Sequence, residues 1–379
     1  MNRYSVRFDH LARLTDDTGI IEHALGILPR REEGYSTDDQ ARALWACIDW
    51  LELCKDEDRS LLMRLAETYM AWLVWAQQEN GHFHNDYTYE RLQEPRRSSD
   101  DCLARCIWAC AKVITSERMS SYHLAAKTVL ERALSIADII HHPRGLAYLS
   151  AAYGLLYRAK VDVKAVGLSG QGELEQRIRT TGEQLADSYR RYSSSKWPWY
   201  LPEMTYSNGV LPWGMLWAHE ATGRREWLEI ALESLDFLIK ICLNENGDIR
   251  PVGNQGWCRL DYRAMWDQQP IDVMKLALAA DKAFRLTGNE DYTRIVEKCH
   301  NWFHGSNDLG VIMVDERDGS CYDGLHSKGP NLNCGAESLI SYLLTEAIYA
   351  EMQRDREQIA KGIRQAEAEA ARTKSALRS

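Results

Sequence analysis

Apolar residues run almost unbroken from Ala41 to Leu53, where Ala, Leu, Trp, Cys and Ile occupy positions on every face of a helical period. A helix with so little polar surface is buried on most sides. Its hydrophilic part is the beginning, Tyr35-Ser36-Thr37-Asp38-Asp39, where Ser36 followed three residues later by Asp39 forms a capping box with an acid in the reciprocal position. Nearly the same wording returns at Ser98, as Ser-Ser-Asp-Asp-Cys-Leu-Ala-Arg-Cys-Ile-Trp-Ala-Cys. Between them, Ser60 to Gln78 is two-faced, with Leu61, Leu65, Tyr69, Trp72 and Ala76 opposing Arg64, Glu67 and Gln77. That pattern predicts an outer helix, closed by Asn80-Gly81 and followed by a loop or short strand, Phe83 to Tyr87.

The unit of apolar helix, amphipathic helix and glycine-containing loop recurs at roughly 60-residue intervals, a period of helical-hairpin arrays. A third apolar helix opens at Pro143-Arg144-Gly145 and runs to Tyr157, with Glu173 to Tyr192 outside it. The fourth starts at Ser207-Asn208 and spans Leu211 to Ala221, with Arg225 to Leu243 outside. The fifth follows Asp267-Gln268-Gln269-Pro270 and ends at Thr287, with Asp291 to Phe303 outside; proline early in a helix costs nothing, because its missing N–H has no partner there. The sixth runs from Ala336 to Met352. Six buried helices alternating with amphipathic ones predict an all-α fold, an (α/α)6 toroid of inner and outer rings over residues 1–352. Phe8 to His23 reads as a strap with one short helical stretch. Residues 353–379 lack an apolar stripe and read as a charged tail, helical or frayed.

A net charge of −9 without Lys/Arg clusters excludes nucleic acid and anionic membrane as main partners and favours a neutral or cationic ligand. No apolar run has the length of a membrane span, and the first ten residues lack a signal peptide's apolar core, so a cytoplasmic location is expected. Of the ten cysteines, Cys47, Cys54, Cys102, Cys106 and Cys110 sit at helical spacings in apolar runs and act as small hydrophobes. No CxxC appears, so no metal site is expected, and without GxGxxG before a helix, a Walker loop or GxSxG no cofactor is expected either.

In such a toroid every inner helix starts at the same mouth, so its caps converge. They carry Tyr35, Asp38 and Asp39; Ser98, Asp100 and Asp101; Tyr206 and Asn208; Asp267, Gln268 and Gln269; and Glu337. The loops leading to them add Phe83-His84-Asn85, Trp197 to Glu203 with Trp199, Gly253 to Arg259 with Trp257, and Cys321 to His326 with Asp323. One acid in a first helical turn is explained by the helix dipole, worth about 0.3–1 kcal/mol. Two adjacent acids are explained poorly, because the second adds like-charge repulsion. Aromatics, amides and several carboxylates around one cleft suit a sugar, and two carboxylates suffice to cleave a glycosidic bond, one protonated to donate and one ionised to activate water or attack. The Asp-Asp pairs lack the further acid one turn on that a diphosphate–magnesium motif needs. His84 and His326 as acid and base of a sugar epimerase form an alternative.

Asp9-His10-Leu11, Leu14 to Gly19, Gly34 to Leu44 with its Tyr-Ser-Thr-Asp-Asp-Gln-Ala-Arg run, Gly253 to Trp257, Asp267 to Asp272, Asp323-Gly324-Leu325 and Gly335 to Ser338 resemble a largely uncharacterised family of bacterial (α/α)6-barrel proteins. That family is associated with glycosyltransferases by proximity or fusion and is similar in fold to the six-hairpin glycosidases. The resemblance extends to about Met352 and departs at Asp86 to Glu90, at Tyr206 to Val210, where Ser207 replaces an acid, and at Cys334. It implies partnership with a glycosyltransferase. The residues and the resemblance together give the expectation of a glycoside hydrolase, or a phosphorylase-like relative, acting on a small oligosaccharide or glycoconjugate. Asp39, Asp101, Asp267 and Glu337 are the expected acid/base set, oriented by Asp38 and Asp100. Substrate contacts are expected from Tyr35, His84, Asn85, Trp199, Glu203, Tyr206, Asn208, Trp257, Arg259, Gln268, Asp323 and His326. A non-catalytic carbohydrate-binding partner of a glycosyltransferase is the competing class.

Overall fold

The computed structural model describes residues 6–54, 56–95 and 99–376. Twelve α-helices follow one another among them: α1 (Asp9–Leu14), α2 (Thr37–Leu53), α3 (Asp56–Ala76), α4 (Asp100–Thr115), α5 (His123–Leu134), α6 (Pro143–Arg158), α7 (Gln171–Tyr192), α8 (Val210–Thr222), α9 (Arg225–Ile241), α10 (Pro270–Thr287), α11 (Asp291–Phe303) and α12 (Ala336–Ala376). The even-numbered helices pack side by side from α2 to α12, and α12 returns onto α2 to close the ring. Across that seam the Trp50 indole N–H donates to the Leu343 carbonyl at 2.9 Å. Helices α3, α5, α7, α9 and α11 cover their inner partners from outside. The fold is an (α/α)6 toroid.

The expected elements recur with small shifts of boundary. Helix α3 begins at Asp56, ahead of Ser60, and α5 supplies the outer partner of α4. Ser98 lies outside the described residues; the cap of α4 is its neighbour Ser99, whose hydroxyl accepts the Cys102 N–H at 3.1 Å. Past Gln353, α12 continues without a break as one helix to Ala376. Its first turns past the ring are held by Arg285 to Asp355 (2.7 Å) and Arg356 to Glu297 (2.9 Å). Among the described residues no outer helix follows α12; α1 and the N-terminal strap lie against it.

The axis of the ring is filled rather than hollow. Trp45 of α2, Trp108 of α4 and Trp213 of α8 meet with ring centroids 4.9–6.3 Å apart, and Tyr148 of α6 and Trp217 of α8 extend the cluster. Edge-to-face packing of this kind adds to simple apolar burial. Cations close the cluster at both ends: the Lys282 amine stands 3.4 Å from the Trp217 ring centroid at one, and Lys275 stands over Trp45 and Tyr148 at the other. The inner-ring tryptophans are therefore core. All ten cysteines are free thiols, nine of them buried. Among the described residues no helix is long and apolar enough to cross a membrane.

Short two-stranded pairings lie at the mouth where the inner helices begin. Tyr35–Ser36 pairs with Asp86–Tyr87, Cys258–Arg259 with Tyr262–Arg263, and Gly324–His326 with Gly329–Asn331. The strap is fixed to α2 by Gln40, whose amide bonds both backbone groups of Ile20 at 2.8 Å.

Helices α6 and α8 approach so closely that a Cβ on Gly214 would stand 2.5 Å from Ala147 Cα. Gly214→Ala is therefore expected to destabilise the protein by roughly 1–2 kcal/mol, overpacking outweighing the helix propensity gained. Urea unfolding monitored by tryptophan fluorescence would show this as a lower midpoint; an unchanged midpoint would contradict the contact.

Candidate active site

The mouth is built from the first two turns of the inner helices. Ser36 starts α2: its hydroxyl accepts the Asp39 N–H (3.1 Å) and donates to the Asp39 carboxylate (2.9 Å). One turn further in, Arg42 is buried and reaches three acids. Its guanidinium bonds Asp39 at 2.7 Å and Glu337 of α12 at 2.8 Å, and its Nε stands 3.2 Å from Asp38. Arg105, one turn into α4, bonds Asp38 across the helix pair and lies 3.8 Å from Asp101. Arg144 at the start of α6 donates to Asp101 at 3.0 Å, stacks 4.1 Å over the Tyr206 ring and donates to its hydroxyl at 3.0 Å; Tyr206 in turn donates to Asp101 at 2.8 Å. Glu337, Arg42, Asp38, Arg105, Asp101, Arg144 and Tyr206 thus form one continuous chain of charge and hydrogen bonds. It joins α12, α2, α4, α6 and the loop before α8.

The same surroundings drive these acids apart. Burial works against the charged form of Asp101, but Arg105, Arg144 and the Tyr206 hydroxyl more than offset it and hold this carboxyl below its ordinary range. Asp39 is pushed up to about 6, chiefly by burial and only partly relieved by Arg42. Asp272, in the first turn of α10, accepts the Asn208 backbone and amide N–H groups at 3.2 Å and is raised by burial to about 7. Glu22 in the strap is raised to about 8, first by burial, then by the negative charges of Asp39 and Asp86. Its backbone bridges the two helix starts, with its N–H on Gly34 and its carbonyl accepting from Ala336. Asp323 is raised by burial and by Glu337, and accepts the Asn333 amide at 2.9 Å.

Not every expected residue faces this network. Asp100 turns away and accepts the backbone N–H groups of His141 and His142 at 2.8 and 2.9 Å, fixing the start of α6. Trp199 is fully buried against Tyr200, which leaves no ring face for a sugar. Gln268 is also buried; its amide is engaged by Asp308, Met265 and Trp302. Asn208 is occupied by Asp272 and Thr205. Tyr35 points its hydroxyl at Asp16 in the strap at 2.7 Å, and Asn85 holds the Asp38 N–H. Arg259 and Glu203 form a rim pair at 2.7 Å. His84 is buried against Tyr87, its Nε2 without a hydrogen-bond partner among the described residues. Trp257 stays partly open, 6.5 Å from Tyr206. Asp267 meets His326 at 3.2 Å on the rim, apart from the arginine-linked chain.

Ser207, Trp257 and Asp267 hold left-handed backbone, with φ of 55°, 58° and 59°. Such conformations are uncommon for side chains of this bulk and cluster where a site is held in one shape. Gly209 allows the close approach beside them, since a Cβ there would lie 2.2 Å from the Lys275 carbonyl.

The sequence expectations did not include Arg42, Arg105, Arg144, Lys275, Asp272 or Glu22. The first two carried a signal: Asp38 and Arg42, like Asp101 and Arg105, stand four apart on one helix face. Lys275 is the deepest of these groups, fully buried, its amine without a hydrogen-bond partner among the described residues and held well below the usual lysine value by burial and by Arg105 and Arg42.

No protein-family model matches the chain, and comparison with curated protein sequences returns no match. Solved structures match its fold. The cellobiose 2-epimerase of Bacillus thermoamylovorans aligns at TM-score 0.67 and 13% identity over 90% of this chain and 96% of its own. A GH76 α-mannanase of Bacteroides thetaiotaomicron aligns at 0.64 and 11% over 92% and 95%, and a D-mannose isomerase at 0.62 and 12% over 91% and 96%. These share the toroid, in the manner of the six-hairpin glycosidases.

Glu22, Asp39 and Asp272 hold protons more tightly in the fold than in the unfolded chain. From about pH 5 to about pH 8 the native state therefore binds more protons, and unfolding free energy falls as pH rises. Asp101 acts in the opposite sense below the ordinary carboxylate value, and Lys275, His10 and His142, all lowered by burial, oppose the trend at higher pH. Glu22→Gln and Asp272→Asn are each expected to make the change of melting temperature from pH 5 to pH 8 more positive than in the wild type. Slopes unchanged in both variants would contradict the assignment.

Proposed function

We propose that the protein is a carbohydrate-processing enzyme working at the mouth of the toroid, and that it cleaves a glycosidic bond in a small oligosaccharide or glycoconjugate by hydrolysis or phosphorolysis. The observation that carries this reading is the gathering of Asp38, Asp39, Asp101 and Glu337 around the buried Arg42 and Arg105 at one mouth, with Glu22 of the strap, its carboxyl raised by burial and by the charges of Asp39 and Asp86, beside them. Glu22 would donate to the leaving oxygen. Glu337, bonded to Arg42 and with 41% of its side chain exposed, would activate water or phosphate, or attack the anomeric carbon. Asp101, kept ionised by Arg105 and Arg144, would stabilise the positive charge that develops on the sugar ring. Asp38 and Asp39 would position the arginines, and Tyr206 with Trp257 would offer aromatic faces to the sugar. Trp199, Gln268 and Asn208 have no part in this reading.

A second reading, a sugar epimerase or isomerase, is supported by the rim pair of His326 and Asp267, 3.2 Å apart with 39% of the histidine side chain exposed. A histidine oriented by a carboxylate can remove and return a proton at a sugar carbon. The epimerase and isomerase among the fold relatives support it to the same degree as the mannanase supports cleavage.

Incubation with a glycan library in deuterated buffer, with and without phosphate, read by mass spectrometry, separates these readings. Bond cleavage is expected, with Glu22→Gln and Glu337→Gln each lowering turnover about 10²–10⁴-fold while the variants still melt cooperatively. Cleavage undiminished in both would remove the assigned acid and base. Uptake of one deuterium without cleavage, lost in His326→Ala, would establish the epimerase. Saturable binding with no product in either buffer would leave a non-catalytic partner of a glycosyltransferase.

A further inference from the structure

Away from the mouth, the interface of α11 and α12 buries a second polar cluster that the reaction does not use. His300 in the last turn of α11 and His304 at its C-cap face Glu346 of α12, which sits among Tyr342, Leu343 and Tyr349. Histidine Nδ1 of residue 300 lies 2.8 Å from a Glu346 carboxylate oxygen, and Nε2 of residue 304 lies 3.1 Å from the same oxygen. All three ligand atoms fall within 4.8 Å of one another, and all three side chains are less than a tenth exposed. The His300 ring is fixed by stacking on Tyr349, 4.1 Å between centroids and 8° from parallel.

Two imidazole nitrogens and one carboxylate oxygen are a donor set suited to zinc and its neighbours, with bonds of about 2.0–2.2 Å. Contacts of 2.8 and 3.1 Å are close to the separation that two ligand atoms keep around one such ion, so small side-chain shifts would admit it. The cysteine spacings pointed away from any metal, but the donors here are two histidines at the end of α11 and a glutamate of α12, which cysteine arithmetic does not examine.

We propose that His300, His304 and Glu346 bind one divalent transition-metal ion of the zinc type, with water in the fourth position, and that the ion fastens α11 to α12. The location gives the ion a task. Helix α12 closes the ring, and among the described residues α11 is the outer helix packed on it, so their contact is the outer-layer grip on the closing helix of the toroid. Each histidine presents the nitrogen now turned toward Glu346 as a lone pair, its proton passing to the other ring nitrogen or to solvent. Binding to the folded chain stabilises it by mass action.

The test uses the full-length protein, freed of metal by chelator and dialysis, then titrated calorimetrically with zinc chloride alone. One equivalent is expected to bind and to raise the melting temperature, and cobalt(II) is expected to give the intense visible bands of a four-coordinate site. His300→Gln, His304→Gln and Glu346→Gln should each weaken binding by at least about 100-fold, beyond the loss that follows from disturbing an outer partner. His141→Gln, which changes an exposed imidazole, should leave it unaltered. Absence of saturable binding in the wild type, or binding that survives all three substitutions, would overturn the proposal. Because glutamine retains hydrogen-bonding capacity and similar bulk, at least one variant is expected to fold, and circular dichroism identifies it.

Discussion

Arg42 is the residue on which the mouth and the closure of the ring both depend. Its guanidinium leaves α2 one turn below the cap and is shared among Asp38 and Asp39 of its own helix and Glu337 of α12, the first and last inner helices. A buried arginine stripped of such partners is an uncompensated charge, and breaking a buried pair costs about 3–5 kcal/mol. The acids have the same need. Paired carboxylates at a helix start gain from the dipole but repel each other, and the arginine beneath them removes the repulsion. Arg105 repeats the arrangement for α4, so two adjacent inner helices carry the same device and exchange partners through Asp38.

This shared charge sorts the acids into two states without any metal ion or cofactor being invoked. Where two arginines and a tyrosine hydroxyl converge, as at Asp101, the ionised form prevails. Where burial and neighbouring anions dominate, as at Glu22 and Asp272, the proton is retained into the neutral range. Acid and base roles at one pH require such a separation, and here it follows from which acids the guanidinium groups reach. The strained backbone at Ser207, Trp257 and Asp267 lies in the loops around this region, while the helices that carry the charges are regular.

Below the charged layer, the tryptophan cluster makes the toroid a packed body rather than an open ring. Trp45, Trp108 and Trp213 fill the axis, so the open surface at the mouth is formed by the first two helical turns and the short β-pairs above them. Lys275 marks the boundary, its amine set against two aromatic rings beneath Arg42 and Arg105. The tryptophans and tyrosines thus serve an axial core, the buried faces of outer helices, as at Trp72, Trp227 and Trp302, and a few rim positions such as Tyr206 and Trp257.

Much of the architecture was legible in the sequence. Apolar helices with hydrophilic starts, two-faced helices between them and their roughly regular spacing are local patterns, set by backbone period and capping chemistry. Asp38, Asp39, Asp101, Tyr206 and Glu337 were legible for the same reason, since a cap position fixes which end of a helix a side chain occupies. Tertiary structure decided which of them meet. Arg42 reaches Glu337 across 295 positions, and Glu22 joins the acids because the strap crosses two helix starts. It also decided against Trp199, Gln268 and Asn208, whose residue types suit a sugar but whose side chains are turned inward or consumed by neighbours. Spacing along a helix gives the face of a residue, whereas its partner and its proton affinity depend on which other helices the closed ring brings alongside.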